Sequence, residues 1–384
     1  MKKAFLAIFL ACVVTLCGCG GVEDKDDVNS TPTQEAWQVT DLGLFSDGVA
    51  TNARMPWDLI VVDGKLYAGT GDFDTNSGPT SIWCYDEATK KWAASATVDQ
   101  EAIARFVNLD GQVVALGTDP MGNPKEAETY LLKNGAWQIF SAVNGALHVF
   151  DAEAYNGAVY YGIGCDNGTS AVVKQDTATG EWMNVELFKG GLSYMAALET
   201  KENVQSKRVY DLFSVNGKLF CAFSCTYTKG KMTIEFFEWI EDKFVWRQAF
   251  VNTDLEMKKP VKNQVLFNAD AVYENSCYVS LGGLYKTDDF VRFDKVDVPN
   301  HGCVTDLLVD GTDFYILSTI QNGEAYQNVI YKMANGNLVE MFAFDSATSA
   351  LSFAKYANGF YVGLGGADST HIDNGRILKI ECSE

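Results

Sequence analysis

Histidine is scarce, with 3 residues in 384, and basic residues are outnumbered: 30 Lys and Arg stand against 50 Asp and Glu, a formal net charge of −20. That shortage of positive charge argues against nucleic acid as a partner, since its phosphates need a basic surface. It argues equally against binding of the folded part to anionic lipid. No Cys-x-x-Cys pair occurs, so a structural zinc site is not expected. Beyond the first 20 residues no segment is apolar enough to cross a bilayer. A disulfide framework is missing too. Of 10 cysteines, Cys12, Cys17 and Cys19 lie at the very start, and the other 7 are scattered singly through strand-like runs. Cys221 and Cys225 are four apart in an extended segment, about 13 Å by the strand rise, too far to bridge. These thiols read as small buried apolar side chains.

What is present begins with an address. Lys2 and Lys3 precede an apolar run from Ala4 to Leu16, too short to span a membrane comfortably. Leu16-Cys17-Gly18-Cys19 then resembles a bacterial lipobox. The resemblance implies cleavage after Gly18, lipid on Cys19, and attachment to a membrane through that anchor only. Residues 1–18 are thus expected as a lipoprotein signal peptide and 19–35 as an acidic flexible tether, polar and poor in large apolar groups. Within the tether, Lys25-Asp26-Asp27 resembles the signal that sends Bacteroidetes lipoproteins to the cell-surface face of the outer membrane; the alternative is a solvated linker.

Residues 36–384 carry a seven-fold repeat of two apolar runs about a tight turn. The runs start at Asp58, Arg105, Asp151, Asp211, Asp270, Asp306 and Phe353, and centre on Asp-Gly, Asn-Gly or, once, Asn-Ser. Most continue into a third strand and a fourth holding Trp, and Trp92, Trp137 and Trp182 are spaced by a constant 45 residues. Four strands at this period predict an all-β, seven-bladed β-propeller of four-stranded antiparallel blades. The last unit ends after a third strand, and Ala36-Trp37-Gln38 matches Ala136-Trp137-Gln138, a fourth strand. The N-terminal strand is therefore expected to complete the last blade, which otherwise exposes an unpaired edge.

On Gly69-Thr70-Gly71, Tyr85-Asp86, Thr89 and Trp92 the chain resembles the kelch-type propellers, including the central-domain type of galactose oxidase. The kelch Gly-Gly doublet is kept at Gly282-Gly283 and Gly365-Gly366 only. Lys286 to Phe293 resembles the Asp-box turn of sialidase-like propellers, with Val291 where that motif has Gly. Galactose oxidase chemistry implies a Tyr-His pair among its copper ligands, and no Tyr-His dipeptide occurs. Sialidase chemistry implies an arginine cluster. Arg54, Arg105 and Arg208 map to one face, but seven units do not match that family's six.

In such rings the entry of the innermost strands is the usual ligand face. Asp58, Asp151, Asp211, Asp270 and Asp306 would place five carboxylates around one rim, with Arg105 and Phe353 at the other two positions. Crowded carboxylates must be hydrated, hydrogen-bonded or sharing a cation. No cofactor is expected, although a cation such as calcium fits such a rim. The alternative is that each Asp caps backbone NH groups in the loop before its own strand. His148, His301 and His371 fall on loops of different blades, which argues against zinc. Trp57 and Tyr194 are candidates for stacking on a sugar face, Trp57 alternatively packing between blades. Lys189 to Lys262 holds twelve Lys and Arg against nine Asp and Glu, a balance of +3, and includes the long insertion from Lys189 to Arg208, whose middle reads as a short helix. A basic wall over an acidic body steers anions, unless it is only a solvated loop.

Three readings follow for a monomeric propeller. It recognises an extracellular glycan; or it is a glycoside hydrolase or lyase using a pair of the rim carboxylates; or it is a scaffold for a cell-envelope protein, which predicts an exposed apolar patch.

Overall fold

The computed structural model describes residues 36–384 apart from 47, 73–76, 123–125, 165–170, 190–191, 194–203, 228–231, 252–269, 282, 367–369 and 384. The expected signal peptide, Cys19 as the expected lipidation site, the expected tether, Tyr194 and the middle of the 189–208 insertion lie outside the described residues. Every described blade has four antiparallel strands. Blade 1 is Met55–Val62, Lys65–Gly71, Thr80–Asp86 and Lys91–Val98, and blades 2 to 6 repeat that order along the chain. Blade 7 is Ala350–Tyr356, Gly359–Leu364, Arg376–Ser383 and, from the other end of the chain, Ala36–Leu44.

That last strand closes the ring as the sequence predicts. Ala36 faces Ser383 and Asp41 faces Leu378 in antiparallel register, with a bulge before Leu44 pairs with Arg376. Trp37 lies 5.8 Å from Phe342 and 6.3 Å from Phe360, filling the wedge between blades 6 and 7. Arg376 bridges Asp41 and Asp373, tying the borrowed strand to the loop beside it.

The core is shared between blades. Seven apolar clusters each straddle two consecutive blades, so no blade is buried alone. The fourth-strand tryptophans belong to these clusters; Trp137, for example, stacks on Phe106 at 5.6 Å and meets Tyr67 edge-on at 5.6 Å. Cys221, Cys277 and Cys303 are buried, while Cys84 and Cys382 are half-buried.

Three hairpin turns sit one residue away from the expected pair. Blade 5 turns at Glu274-Asn275, blade 6 at Gly311-Thr312 and blade 7 at Ala357-Asn358. In blade 7 the reason is steric. A Cβ on Gly359 would lie 2.1 Å from the Ile380 carbonyl, so this glycine serves a close strand approach, and Ala357 takes the positive φ of 34° instead. In blade 5 buried Ser276 is held in the strand by its 2.5 Å bond to Asp288. The insertion after blade 3 supplies Leu187–Lys189, which pairs in parallel with the outer strand of blade 4 and covers its edge.

Candidate functional site at the channel mouth

Six of the seven innermost strands bulge at the same place, after Pro56, Ile103, Val149, Val209, Val304 and Ala350. A bulge adds one residue and re-aims it. The extra residues are Trp57, Ala104, Phe150, Tyr210, Thr305 and Leu351, and the first four line a cavity of about 250 Å³ in the channel. The next residue in each strand is the rim position: Asp58, Arg105, Asp151, Asp211, Asp306 and, in blade 7, Ser352. Phe353 is therefore not the blade 7 rim residue, because the shifted turn moves the register by one. Asp270 faces Val279, one step further along its strand than Asp58 opposite Gly69.

The rim carboxylates are held in two ways. Asp58 accepts the NH of Leu59 at 2.8 Å and that of Phe106, in the next blade, at 2.7 Å. Asp306 does the same with Leu307 at 2.8 Å and Phe353 at 2.9 Å, and Asp151 accepts the NH of Leu212 at 2.7 Å. These bonds do not run to the loop before the Asp's own strand, as expected from sequence, but to the following residue or to the neighbouring blade, where they fasten one innermost strand to the next. Ser352 closes the circle by donating to the Pro56 carbonyl at 2.7 Å.

The second device is Arg105. Its guanidinium reaches Asp211 at 2.7 Å, Asp151 at 3.6 Å, and Asp270 in a close ion pair. A protein cation thus takes the role proposed for calcium on this side of the rim. Among the described residues no group of three or more His, Cys, Asp or Glu is arranged to hold a metal ion.

Burial dominates the electrostatics. It pushes the Asp58 carboxyl up to about 6 and that of Asp151 up to about 7. Glu153, half-buried, is pushed up to about 8 by burial and then by the charge of Asp151. Asp211 and Asp306 lie well above the carboxylate range, through burial and then the neighbouring charges of Asp270 and Asp58 respectively. Burial opposes the charge on Arg105, but Asp151, Asp270 and Asp211 outweigh it and hold the guanidinium firmly protonated.

The other candidates separate. Trp57 is buried and donates its indole NH to the Gly71 carbonyl at 2.9 Å, so it is a cavity wall wedged between blades, not an exposed platform. Arg54 is buried and donates to the Ile372 carbonyl at 2.9 Å. Arg208 lies over the Phe150 ring at 5.6 Å. The three arginines thus engage different partners and do not form one cluster. His148 pairs with Asp119 at 2.9 Å and stacks on Phe150 at 5.3 Å, which in turn meets Tyr210 at 4.7 Å. Sequence reasoning missed Phe150, Tyr210 and Glu101. The signal for the two aromatics was their place directly before a rim Asp, the same place Trp57 holds. Glu101, buried near Asp119 and Asp72, has its carboxyl raised to about 7 by burial and then by those two charges.

No protein-family model and no curated protein matches the chain. Solved structures match its fold. A chain of the Mitotic Checkpoint Complex is 11% identical, with TM-score 0.51, over 97% of this chain and 99% of that one. PorZ, a bacterial surface component of the type-IX secretion system of Porphyromonas gingivalis, is 13% identical, with TM-score 0.48, over 85% of this chain and 46% of that one. A 6-phosphogluconolactonase-like protein of Bacteroides uniformis is 13% identical, with TM-score 0.45, over 77% of this chain and 88% of that one. The Mitotic Checkpoint Complex chain is a β-propeller, and at such identity the likeness shows the fold alone.

Proposed function

We propose that this is a lipid-anchored cell-surface protein whose propeller is a recognition module, and that its ligand is a sugar residue of an extracellular glycan held at the channel mouth. The observation that carries the reading is the cavity itself. About 250 Å³ is walled by Trp57, Phe150, Tyr210 and Phe353 and edged by Asp58, Arg105 and Asp306. Aromatic faces stack on a pyranose, and charged edge groups bond its hydroxyls. The size lies at the small end of ligand sites, which suits one sugar residue with the remaining chain outside. The lipobox resemblance supports the address, and neither it nor the kelch resemblance identifies the ligand.

The test is a glycan array probed with the purified full-length protein and with Ala104→Phe, which fills the cavity from a bulge position. Specific binding by the wild type that is lost in a folded variant supports the reading. Undiminished binding by the variant places the site elsewhere.

One observation favours a second reading, hydrolysis. A carboxyl raised to about 7 beside two other carboxylates, as at Glu101, has the form of a general acid. Such an enzyme would lose activity as pH rises through about 7, and Glu101→Gln would abolish it. Product formation on polysaccharides that the array identifies decides between binder and enzyme.

A further inference from the structure

Two arginines of the mouth are buried in opposite ways. Arg105 is surrounded by Asp151, Asp211 and Asp270. Arg54 is only 5% exposed, yet among the described residues no carboxylate pairs with it. Its Nη2 donates to the Ile372 carbonyl at 2.9 Å, and its Nε is enclosed with no hydrogen-bond partner. Its Nη1 also meets no acceptor among the described residues but is not enclosed as Nε is. Acids of the adjoining loops are committed elsewhere. Asp373, beside Ile372, pairs with Arg376 at 2.8 Å, and Asp72 accepts from Asn52 at 2.7 Å and from Ser77 at 3.3 Å. A buried guanidinium with one neutral acceptor is costly, since burial removes hydration that a counter-ion would replace. The fold holds it in place all the same. Gly375, at φ +86°, leaves room for its stem: a Cβ there would lie 2.8 Å from the Arg54 Cβ and 2.7 Å from the Arg54 carbonyl oxygen.

We infer that Arg54 is an oxyanion site, and that the recognised glycan carries an acidic group, a carboxylate or a sulfate ester, on the part of its chain outside the cavity. The inference rests on the glycan reading above and adds the charge of the ligand. Arg54 stands directly before Met55, where the innermost strand of blade 1 enters the channel. Trp57 of the cavity wall is three residues further on, about 10 Å along an extended chain. Met55 and Trp57 pack in one buried cluster, so this short stretch is fixed. A glycan leaving the cavity past Trp57 therefore meets Arg54. A guanidinium offers a planar fork of donors and no acceptor, which matches the paired oxygens of a carboxylate or sulfate better than a hydroxyl. A molecule of net charge −20 repels anions over most of its surface. An acidic group is accepted only where a cation stands uncancelled, and Arg54 is such a cation at the entry.

The experiment probes an array of neutral, carboxylated and sulfated glycans with the full-length protein. The strongest-binding glycan is then titrated calorimetrically beside a charge-free counterpart, made by reducing its carboxyl groups to alcohols or by removing its sulfate esters. The expected result is that the bound glycans are acidic and that the counterpart binds more weakly by on the order of tenfold to a hundredfold, the worth of a hydrogen bond to a charged group. The treatment that weakens binding tells carboxylate from sulfate. Raised salt should weaken the acidic glycan more than its counterpart. The preference should disappear in Arg54→Gln and survive in part in Arg54→Lys, which keeps the charge without the fork. Because the wild type alone compares the two glycans, a folding defect in a variant neither rescues nor hides the preference. Neutral glycans bound as tightly as acidic ones overturn the inference and leave the glycan reading standing. A preference undiminished in folded Arg54→Gln overturns the assignment to Arg54. Silence toward the whole array overturns the glycan reading and the inference with it.

Discussion

The two sides of the channel meet the same difficulty with different means. On blades 2 to 5 buried carboxylates share one guanidinium, and the geometry is set by charge: Arg105 spans to three other blades. On blades 6, 7 and 1 the carboxylates are held by backbone NH groups, and Ser352 joins blade 7 to blade 1 through a neutral hydroxyl. On the first side three carboxylates share one cation. On the other, backbone NH groups hold the carboxylates in place, and the charge of Arg105 still acts on Asp58 and Asp306. A fold can therefore fasten neighbouring blades at one repeated position by two different means, a shared cation and backbone NH groups.

The largest effect should come from breaking the charged side. Arg105→Leu strands Asp151, Asp211 and Asp270 without their counter-charge, and losing one partner of a buried ion pair costs about 3–5 kcal/mol. Asp306→Asn, on the neutral side, keeps one acceptor oxygen and should cost about 1–3 kcal/mol. Urea denaturation at pH 7 measures both. Equal losses would erase the distinction between the sides. The Arg105→Leu defect should also shrink at pH 5, where the stranded carboxyls take up protons.

The pH dependence of the wild type comes next. Asp58, Asp151 and Glu153 have folded values of about 6, 7 and 8, above the ordinary carboxylate values. The folded state thus binds more protons than the unfolded chain, and the stability this brings is complete below about pH 4 and lost as pH rises through 6 to 8. The melting temperature should fall by several degrees between pH 5 and pH 8. Asp58→Asn should flatten the lower part of that slope and Glu153→Gln the upper part. A melting temperature rising over this interval would contradict the assignment. The smallest effect belongs to Ser352→Ala, which removes one buried hydroxyl bond at the ring closure and should cost about 1 kcal/mol.

Much of the ring was legible before any coordinates. Alternating apolar runs about turn pairs are local signals, and the Trp spacing of 45 residues marks the unit length. Even the closing strand could be read, because Ala36-Trp37-Gln38 repeats Ala136-Trp137-Gln138 and the last unit was one strand short. The site was read less well, for a physical reason. A bulge breaks the two-residue alternation, so in four blades the side chain before the rim residue turns into the channel where simple periodicity sends it elsewhere. Trp57 was singled out as a ligand platform and Phe150 and Tyr210 were passed over, although all three occupy the same bulge position. Arg105 stood alone in a column of aspartates, and that irregularity was the sign of a counter-ion, visible in sequence but not its reach across the channel. Register in blades 5 and 7 depended on contacts to Asp288 and Ile380, distant in the chain from the turns they displace.

The central claim is that recognition occurs inside the channel mouth. A crystal structure of the full-length protein with its tightest-binding glycan tests this most directly. The account predicts a sugar ring against Phe353, Phe150 or Tyr210. Well-ordered sugar bound at a blade edge or on the opposite face, with the channel cavity unchanged, would contradict it.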